Sequence, residues 1–306
     1  MLKEKFRIYL KVEKQCAAHT LRAYLTDLDE LAAYLQALRE IDLYEETGIC
    51  TLTHRDLRGW MGALREKGLS ARSIARKLSA AKSYCAFLQK AGRLESNPAA
   101  RLKLPQFDRR LPAFLKEAET EHLLDSVEFP DTFEGLRDKC MLELLYGCGL
   151  RRSELLSLRL SDIDRYNRSL RVQGKGNKDR ILPFGKHVAA AIEAYINRAS
   201  AESHSLQMRF FITRQGKPAY PNMVYRIVQK HLSQVSSLAQ KSPHVLRHTF
   251  ATHLLDRGAD LNAIKELLGH ESLAATQVYT HNTISKLKSV HKQAHPRAIT
   301  SNSNES

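Results

Sequence analysis

The stretch Ser242–Leu255 reads SPHVLRHTFATHLL and places three histidines and one arginine within ten residues, at the predicted start of a helix. His244 and His248 are four residues apart, so one helical turn brings both imidazoles to the same side. Such a turn suits either a metal ion or an anion held at the beginning of a helix. The rest of the sequence has to decide between these two interpretations.

The metal interpretation receives weak support. In the H-E-x-x-H pattern of zinc enzymes a glutamate follows the first histidine, whereas Val245 occupies that place here. No cysteine or carboxylate cluster lies nearby in the sequence to complete a zinc site, and the grouped carboxylates that magnesium requires do not appear. We therefore expect no bound metal.

The charge of the chain supports the anion interpretation. Lys and Arg outnumber Asp and Glu by 48 to 33 over 306 residues, a formal net charge of +15. Residues 51–110 carry 14 basic and 4 acidic groups, whereas residues 1–50 carry 7 and 9. A concentrated positive charge is typical of proteins that bind nucleic acid, although a merely soluble cationic protein would show the same excess.

Cysteine usage and hydropathy indicate where the protein works. The five cysteines are odd in number and show no C-x-x-C spacing, which argues against a disulfide framework and for a reducing compartment. The first residues contain no apolar signal segment, and eighteen apolar residues never run together. These features predict a cytoplasmic protein without a membrane partner.

The first hundred residues show helical periodicity. In LTHRDLRGWMGALREKG, Thr53 and Asp56 have the spacing of a capping pair and Gly68 is expected to end the helix. Helices are also predicted in TLRAYLTDLDELAAYL and in SARSIARKLSAAKSYCAFLQKAG. The last of these has an inner apolar stripe formed by Ile74, Leu78, Ala81, Cys85 and Leu88.

A polar stripe on the same helix is a candidate DNA-binding face. Its cations and hydroxyls are of the types that bind backbone phosphates, although a solvated face is the ordinary explanation for such a stripe. Its members are Arg72, Arg76, Lys77, Ser79, Lys82 and Ser83.

Three prolines within fifteen residues, Pro98, Pro105 and Pro112, predict an extended linker because proline cannot continue a helix. We therefore predict a helical domain at residues 1–95, a linker at 96–112, a second domain at 113–295 and a disordered polar tail at 296–306.

The second domain mixes helical and strand periods. GLRDKCMLELLYGCGL is helical, SLRVQGKGNKDRILPF alternates around a Gly-rich turn and predicts a β-hairpin, and MRFFITRQGKPAY resembles a strand.

Chemistry at a phosphodiester requires cationic donors for its oxygens, a proton for the leaving oxygen and, unless the bond is hydrolysed, a side-chain nucleophile. The sequence offers these candidates in chain order: Arg151, Lys175, His244, Arg247, His270 and Tyr279. Each alone has an ordinary explanation, such as a surface arginine, a turn lysine or a half-buried tyrosine. The complete ordered set on a basic chain favours phosphodiester chemistry.

Together these segments resemble the tyrosine recombinase (phage integrase) family over nearly the whole chain. The resemblance is carried by GLRRSELLSL, GKGNKDRILP, SPHVLRHTFATHLLDRGADLNAIKELLGH and TQVYTH. The compact organisation is most similar to Xer-type recombinases. The resemblance implies a mainly α, two-domain fold, with an N-terminal all-α SAM-like core-binding domain that binds DNA and a C-terminal α+β catalytic domain.

The resemblance also implies the residues that act on DNA. Tyr279 would attack the scissile phosphate and form a 3′-phosphotyrosine, with His244 assisting the transfer of its proton. Arg151 and Arg247 would clamp the non-bridging oxygens. The chemistry would need no cofactor.

Three further residues complete this implied site. His270 would add a hydrogen bond to the same phosphate, and Lys175 would protonate the leaving 5′ oxygen. Glu154 would stand behind Arg151 and orient it.

The implied partners are a double-stranded DNA recombination site, a related recombinase in a homo- or hetero-tetramer, and a DNA translocase of the division septum. The implied role is resolution of chromosome dimers at cell division. A mobile-element integrase, a type IB topoisomerase and a non-catalytic DNA-binding protein remain as alternatives. In TISKLKSVHKQA, Leu287 and Val290 would anchor a C-terminal helix on a neighbouring subunit.

Overall fold

The structure is a computed structural model that describes residues 2–14, 16, 18–106, 113–173, 179–269 and 281–297. The chain divides into two compact units, Met1–Arg110 and Leu111–Ser306, each with its own hydrophobic core. Among the described residues, no helix combines the length and the apolarity needed to cross a membrane.

The described part of the first unit is helical. Its elements are α1 (Leu2–Val12), α2 (Ala18–Arg39), α3 (Glu46–Cys50), α4 (His54–Glu66) and α5 (Ala71–Lys90). The predicted apolar stripe of α5 is confirmed, because all five of its side chains are buried in the core of this unit. The predicted cap of α4 is confirmed as well, since Thr53 and Asp56 exchange hydrogen bonds at its first turn.

The first unit continues into the segment predicted as a linker. Ala99 and Leu102 are buried in the same core as the helices. The polypeptide turns at residues 98–101 and brings these two side chains back onto the unit. The helical structure has already ended at Lys90, and the packed domain continues past Pro98.

The second unit contains eight α-helices and three strands among its described residues. The helices are α6 (Glu117–Glu121), α7 (Phe133–Gly147), α8 (Arg152–Ser157), α9 (Lys186–Ala201), α10 (Pro221–Val235), α11 (Pro243–Asp256), α12 (Leu261–Leu268) and α13 (His281–Ala294). A π-helical turn (His122–Ser126) follows α6, and a 3₁₀ turn (Leu160–Asp162) follows α8.

The sheet of the second unit is small and antiparallel. Its strands are β1 (Ile163–Asp164), β2 (Ser169–Gln173) and β3 (Asp179–Pro183), in that order. The β2–β3 pair confirms the predicted hairpin strands, with Arg171 opposite Ile181. Lys175, predicted at its tip, lies outside the described residues.

The predicted strand in MRFFITRQGKPAY is wrong. The described structure has only an isolated bridge between Ile212 and Pro218, closed by a turn in which Gly216 has φ +73°. Proline has no N–H to extend a ladder. Phe210 and Phe211 are instead buried against Tyr195 of α9.

Helix α13 packs onto its own unit, which differs from the expectation that it anchors on a neighbour. Leu287 is only 2% exposed and belongs to the core, with Val290 packed against it. The ring of His291 donates a hydrogen bond to the Gly147 carbonyl at 2.9 Å. The apolar stripe of this helix is therefore already covered by the same chain.

The beginning of the predicted disordered tail is ordered. The guanidinium of Arg297 is buried and forms ion pairs with Asp125 at 2.6 Å and with Glu143 at 2.7 Å. These contacts hold residues 296–297 against α7 and the π-helical turn. Residues 298–306 lie outside the described part.

Candidate active site

The segment between α7 and α8 brings the first arginine of the site into position. Gly149 has φ +60°, and a Cβ at this position would lie 2.5 Å from the ring of Phe250, so only glycine fits. The chain then enters α8 with Arg151 as its N-cap residue. The Glu154 carboxylate accepts the backbone N–H of Arg151 at 2.8 Å, which satisfies a donor at the helix start.

The side chain of Arg151 is held at both ends of its guanidinium. Nη1 donates to Glu154 Oε1 at 2.7 Å, and Nη2 donates to the Gly269 carbonyl at 3.0 Å. The side chain remains 30% exposed. Arg151 is therefore oriented by contacts within the protein while part of its side chain stays accessible to solvent.

Arg247 reaches the same place from α11. Its guanidinium donates to the carbonyls of Gly149 at 2.6 Å and Leu268 at 2.5 Å, and Nη1 lies 3.8 Å from Glu154 Oε2. Burial and the nearby charge of Arg151 lower the pKa of Arg247 to about 10. The group is still charged at neutral pH.

A third arginine, Arg180 of β3, completes the arrangement. Its Nη1 and Nη2 each donate to one oxygen of Glu154 at 2.9 Å, and its Nε donates to the Leu267 carbonyl at 2.9 Å. We call these four residues, Glu154 with Arg151, Arg180 and Arg247, the Glu154 cluster.

The carboxylate at the centre of the Glu154 cluster is ionised. Burial opposes its charge, but the hydrogen bonds and the charge of Arg180, together with the bonds from Arg151, lower the pKa of Glu154 below its ordinary value. Among the described residues of the cluster, three guanidiniums face one carboxylate, which leaves an excess of positive charge. Such a site attracts an anion.

The end of α12 is the second support of the cluster. Three consecutive carbonyls there, those of Leu267, Leu268 and Gly269, each accept a hydrogen bond from a different arginine of the cluster. The last carbonyls of a helix have no partner within the helix and form the negative end of its dipole. Cationic side chains are therefore stabilised at this end.

His244 lies at the first turn of α11 with an exposed side chain. Partial desolvation lowers its pKa, and the charges of Arg152, Arg247 and Arg151 lower it further. The ring is thus neutral at pH 7 and able to accept a proton. The neighbouring guanidiniums repel a metal ion, so this electrostatic environment favours the anion interpretation of the opening motif.

The structure brings Arg151, Arg247 and Glu154 together, with His244 beside them on α11. Lys175, His270 and Tyr279, the other three candidates, lie outside the described residues. Within the described ranges, no group of three or more His, Cys, Asp or Glu side chains is arranged to hold a metal.

The polar stripe of α5 is only partly available for DNA. Arg72 and Arg76 are exposed, and Ser79, Lys82 and Ser83 are partly exposed. Ser79 donates its hydroxyl to the Ala75 carbonyl at 2.8 Å.

Lys77 does not fit the prediction that it contacts DNA. Its side chain is 6% exposed, and its ammonium is 3.0 Å from Asp27 and 2.7 Å from Glu30. Arg76 also binds Asp27, which is 1% exposed. We call these residues, Asp27, Glu30, Arg76 and Lys77, the Asp27 cluster. The ammonium of Lys77 joins α5 to α2 and does not face solvent.

Sequence reasoning missed Arg180 among the residues of the site. A signal was present, because β3 alternates and Arg180 shares its buried face with Leu182. A charged residue in the inward register of a strand requires a buried partner. The partner could not be identified without the fold.

Comparison with known proteins assigns the chain to a family. Residues 113–286 match the phage integrase family, and residues 4–92 match the N-terminal SAM-like domain of phage integrases.

The chain belongs to the phage integrase family.

Several curated relatives named tyrosine recombinase XerC match almost the whole chain. The protein from Myxococcus xanthus is 40% identical over 304 residues, covering 97% of this chain and 98% of the relative. The protein from Bacillus subtilis is 36% identical to this chain and covers 96% of each chain. The protein from Chlorobaculum parvum is 37% identical and covers 96% of this chain and 94% of the relative. The protein is thus a tyrosine-type site-specific recombinase, as predicted.

Solved structures show the same fold. The Tn1549 transposon integrase in complex with transposon right end DNA gives a TM-score of 0.68 at 20% identity, covering 93% of this chain and 96% of that chain. XerH recombinase bound to palindromic difH substrate gives 0.66 at 19% identity, covering 94% and 83%. The predicted mainly α, two-domain fold is confirmed.

Proposed function

We propose that this recombinase cuts and rejoins DNA strands at a specific site through a 3′-phosphotyrosine intermediate. In this mechanism Tyr279 attacks the scissile phosphate, Arg151 and Arg247 bind its non-bridging oxygens, and Lys175 protonates the leaving 5′ oxygen. His270 donates a further hydrogen bond to the phosphate. The bond energy is kept in the phosphotyrosine, so a second 5′ hydroxyl reverses the step on another strand.

The observation that carries this proposal is the convergence of Arg151 and Arg247 on one carboxylate and on the end of α12. A guanidinium has five N–H donors, and the contacts of Arg151 described here use two of them. The side chain is 30% exposed, so we expect the remaining donors to be available to a phosphate. Donors fixed before the reaction stabilise the charge that develops in the transition state without reorganisation.

His244 is suited to assist the nucleophile. A free phenol has a pKa of about 10, so it attacks efficiently only if its proton is removed during the reaction. The lowered pKa of His244 keeps its imidazole neutral, which is the form that accepts a proton. Desolvation is the main cause of this lowering, and the charges of Arg152, Arg247 and Arg151 add to it.

The curated relatives support a proposal for the cellular role. Full-length similarity to proteins named tyrosine recombinase XerC favours resolution of chromosome dimers at cell division over mobile-element integration. On this proposal the protein acts in the cytoplasm as a homo- or hetero-tetramer on a double-stranded recombination site, activated by a DNA translocase of the division septum. Arg72, Arg76 and Lys82 would contact DNA phosphates, and Ser79 and Ser83 would support them.

The experiment uses a pool of duplexes with randomised arms and a nick that lets a short product diffuse away after cleavage. Protein that becomes covalently attached is recovered and its DNA sequenced, which also gives the target site. We expect adduct with the wild-type protein and none with Tyr279→Phe. Tyr166→Phe, a change at a tyrosine that is 95% exposed, should form adduct normally.

Four outcomes separate the alternatives. Absence of any adduct with wild-type protein, or persistence of adduct in Tyr279→Phe, overturns the phosphotyrosine mechanism. Relaxation of supercoils without strand exchange on two recovered sites would indicate a type IB topoisomerase. A recovered site that maps to a mobile element, and not to a single chromosomal locus, would favour the integrase role.

A further inference from the structure

We propose that Arg180 is a positioning residue for strand cleavage: its guanidinium fixes Glu154 and the end of α12, and through them the two arginines that bind the scissile phosphate. The inference rests on the proposed function of Arg151 and Arg247. We assign Arg180 a positioning role because its side chain is only 4% exposed and its Nε, Nη1 and Nη2 already donate to the Leu267 carbonyl and to Glu154.

Arg180 fixes the orientation of the Glu154 carboxylate. The terminal torsion of a glutamate is broad, so a carboxylate plane is not fixed by the side chain itself. The fork of Arg180 bonds both oxygens at 2.9 Å and therefore fixes the plane. Glu154 Oε1, which Arg180 holds, is the atom that also accepts Nη1 of Arg151. Rotation of the carboxylate would move Arg151.

Arg180 also contacts the end of α12. Nε of Arg180 binds the Leu267 carbonyl, which directly precedes the carbonyls that bind Arg247 and Arg151. Arg180 thus fixes the same helix end to which both phosphate-binding arginines are attached. In sequence, His270 follows this helix end immediately. Loss of Arg180 would loosen the two supports of the arginines together.

Gly269 lies close to the side chain of Arg180. Gly269 ends α12 in the left-handed conformation, with φ +63°. A Cβ at this position would lie 3.2 Å from Nη1 and 3.4 Å from Cδ of Arg180. A side chain at this position would therefore require the Arg180 guanidinium to shift by a few tenths of an ångström. Gly258 offers a matched comparison, because its φ is +79° and a Cβ there would meet nothing within 4 Å.

A purely structural role would also explain a buried ion pair, and the two roles make different predictions. A structural role predicts a less stable protein that cleaves normally once it is folded and bound to DNA. A positioning role predicts a slow chemical step in protein that is folded and bound. A displacement of about 1 Å in a reacting group lowers a rate by about 100-fold.

The experiment measures single-turnover cleavage of the nicked duplex recovered above, with protein in excess, for Arg180→Gln and Arg180→Lys. We expect the rate constant of Arg180→Gln to fall about 100-fold. The DNA dissociation constant should stay within about threefold, since affinity comes mainly from phosphate contacts that Arg180 does not make. Arg180→Lys, which keeps the charge but loses the fork, should be slower by about 10-fold. Arg171→Gln, an exposed change on the same hairpin, should match the wild type.

A second substrate shows whether the loss passes through the phosphate-binding arginines. A methylphosphonate at the scissile position replaces one charged oxygen by a methyl group, so it removes much of what Arg151 and Arg247 recognise. The wild-type protein should therefore prefer the phosphate substrate strongly. In Arg180→Gln this preference should shrink, because Arg151 and Arg247 are no longer held in position to bind the phosphate. A preference equal to that of the wild type would contradict the proposal.

The glycine pair gives an independent measurement. Gly269→Ala and Gly258→Ala both place a side chain in the left-handed region, so they share the same backbone cost. Only Gly269→Ala pushes against Arg180. We expect its cleavage rate constant to be about 10-fold below that of Gly258→Ala.

The measurements distinguish failure of the Arg180 proposal from failure of the proposed function. Wild-type protein that forms no adduct overturns the proposed function and this inference with it. Wild-type adduct together with normal rates in Arg180→Gln and Arg180→Lys overturns the inference alone. Should Arg180→Gln fail to fold, Arg180→Lys is compared with the wild type and Gly269→Ala with Gly258→Ala. Equal cleavage rates in these comparisons contradict the proposal. A slower rate in Arg180→Lys and in Gly269→Ala, at unchanged DNA affinity, supports it.

Discussion

Each unit contains a cluster of charged side chains built around one buried carboxylate, and the clusters differ in charge balance. The Asp27 cluster contains two carboxylates and two cations and joins α5 to α2. The Glu154 cluster contains one carboxylate and three guanidiniums and joins β3, α8, α11 and the end of α12. Both clusters contain a nearly inaccessible carboxylate that holds cations from distant parts of the chain.

The difference shows how buried charge serves structure in one unit and chemistry in the other. A balanced cluster satisfies its own members, so it holds helices together and leaves little net field. An unbalanced cluster of described residues keeps a positive field that a phosphate can complete. Burial makes the Asp27–Lys77 and Glu154–Arg180 pairs less sensitive to salt than pairs at the surface. The charge imbalance, and not burial alone, distinguishes the candidate active site.

The largest effect is expected for Glu154→Gln. The change leaves the buried guanidiniums of the Glu154 cluster without their counterion, and breaking such a buried pair costs about 3–5 kcal/mol. We expect the free energy of unfolding, measured in urea, to fall by this amount. Cleavage at saturating protein should fall at least about 100-fold.

Glu193→Gln is the matched control for this change. Glu193 forms an exposed pair with Arg165 at 3.2 Å, and loss of such a pair changes stability by less than about 1 kcal/mol. A loss in Glu154→Gln no larger than in this control would show that the Glu154 cluster is not under the electrostatic constraint described here.

A smaller effect is expected for Asp27→Asn. Lys77 keeps Glu30 at 2.7 Å, and Arg76, which loses its ion pair with Asp27, is 46% exposed and can be hydrated. We expect a loss of about 1–3 kcal/mol in the free energy of unfolding, from weakened hydrogen bonds to a buried group. The single-turnover cleavage rate of folded protein should be unchanged, because this cluster belongs to the packing of the first unit.

Asp29→Asn tests the same helix at its surface. Asp29 binds Lys3 at 2.5 Å with half of its side chain exposed, and its loss should cost less than about 1 kcal/mol. Slow cleavage in Asp27→Asn at saturating DNA would contradict the division between a structural and a chemical cluster.

The smallest effect concerns pH. Desolvation and then the charges of Arg152, Arg247 and Arg151 lower the pKa of His244, so its neutral form persists below pH 6.5. Cleavage should therefore decline only as pH falls through this lowered value. Arg152→Gln removes one of the charges and should move the decline toward pH 6.5, by less than about one unit.

Arg214→Gln, a change at an exposed arginine, serves as the control for the pH profile. In this variant, cleavage should decline at the same acidic pH as in the wild-type protein. A shift of Arg152→Gln toward lower pH would have the wrong sign for a neutral base near guanidiniums.

The sequence predicts most of the secondary structure because periodicity and caps are local. The α5 stripe, the α4 cap and the two hairpin strands all follow from residues within a few positions of one another. The strand assigned to MRFFITRQGKPAY failed because three successive apolar residues there fill the core beside a turn. Apolar runs of this length do not distinguish a strand from a buried loop.

The site is predictable only in part, because the partners of its charges are distant in sequence. Arg151, Glu154, His244 and Arg247 are nominated by their motifs, and the structure brings them together. The role of Arg180 depends on a carbonyl 87 residues away. The burial of Lys77 depends on a carboxylate 50 residues away in the same manner. Pattern and spacing do not contain these contacts.

A single carboxylate that serves three guanidiniums also constrains how this enzyme can change over generations. The four positions share one anchor, so losses from altering two of them should be less than additive. Natural variation at these positions is then expected to be concerted or absent. Anyone diversifying the hairpin to retarget the enzyme to a new DNA site should leave residue 180 untouched while varying its solvent-facing neighbours.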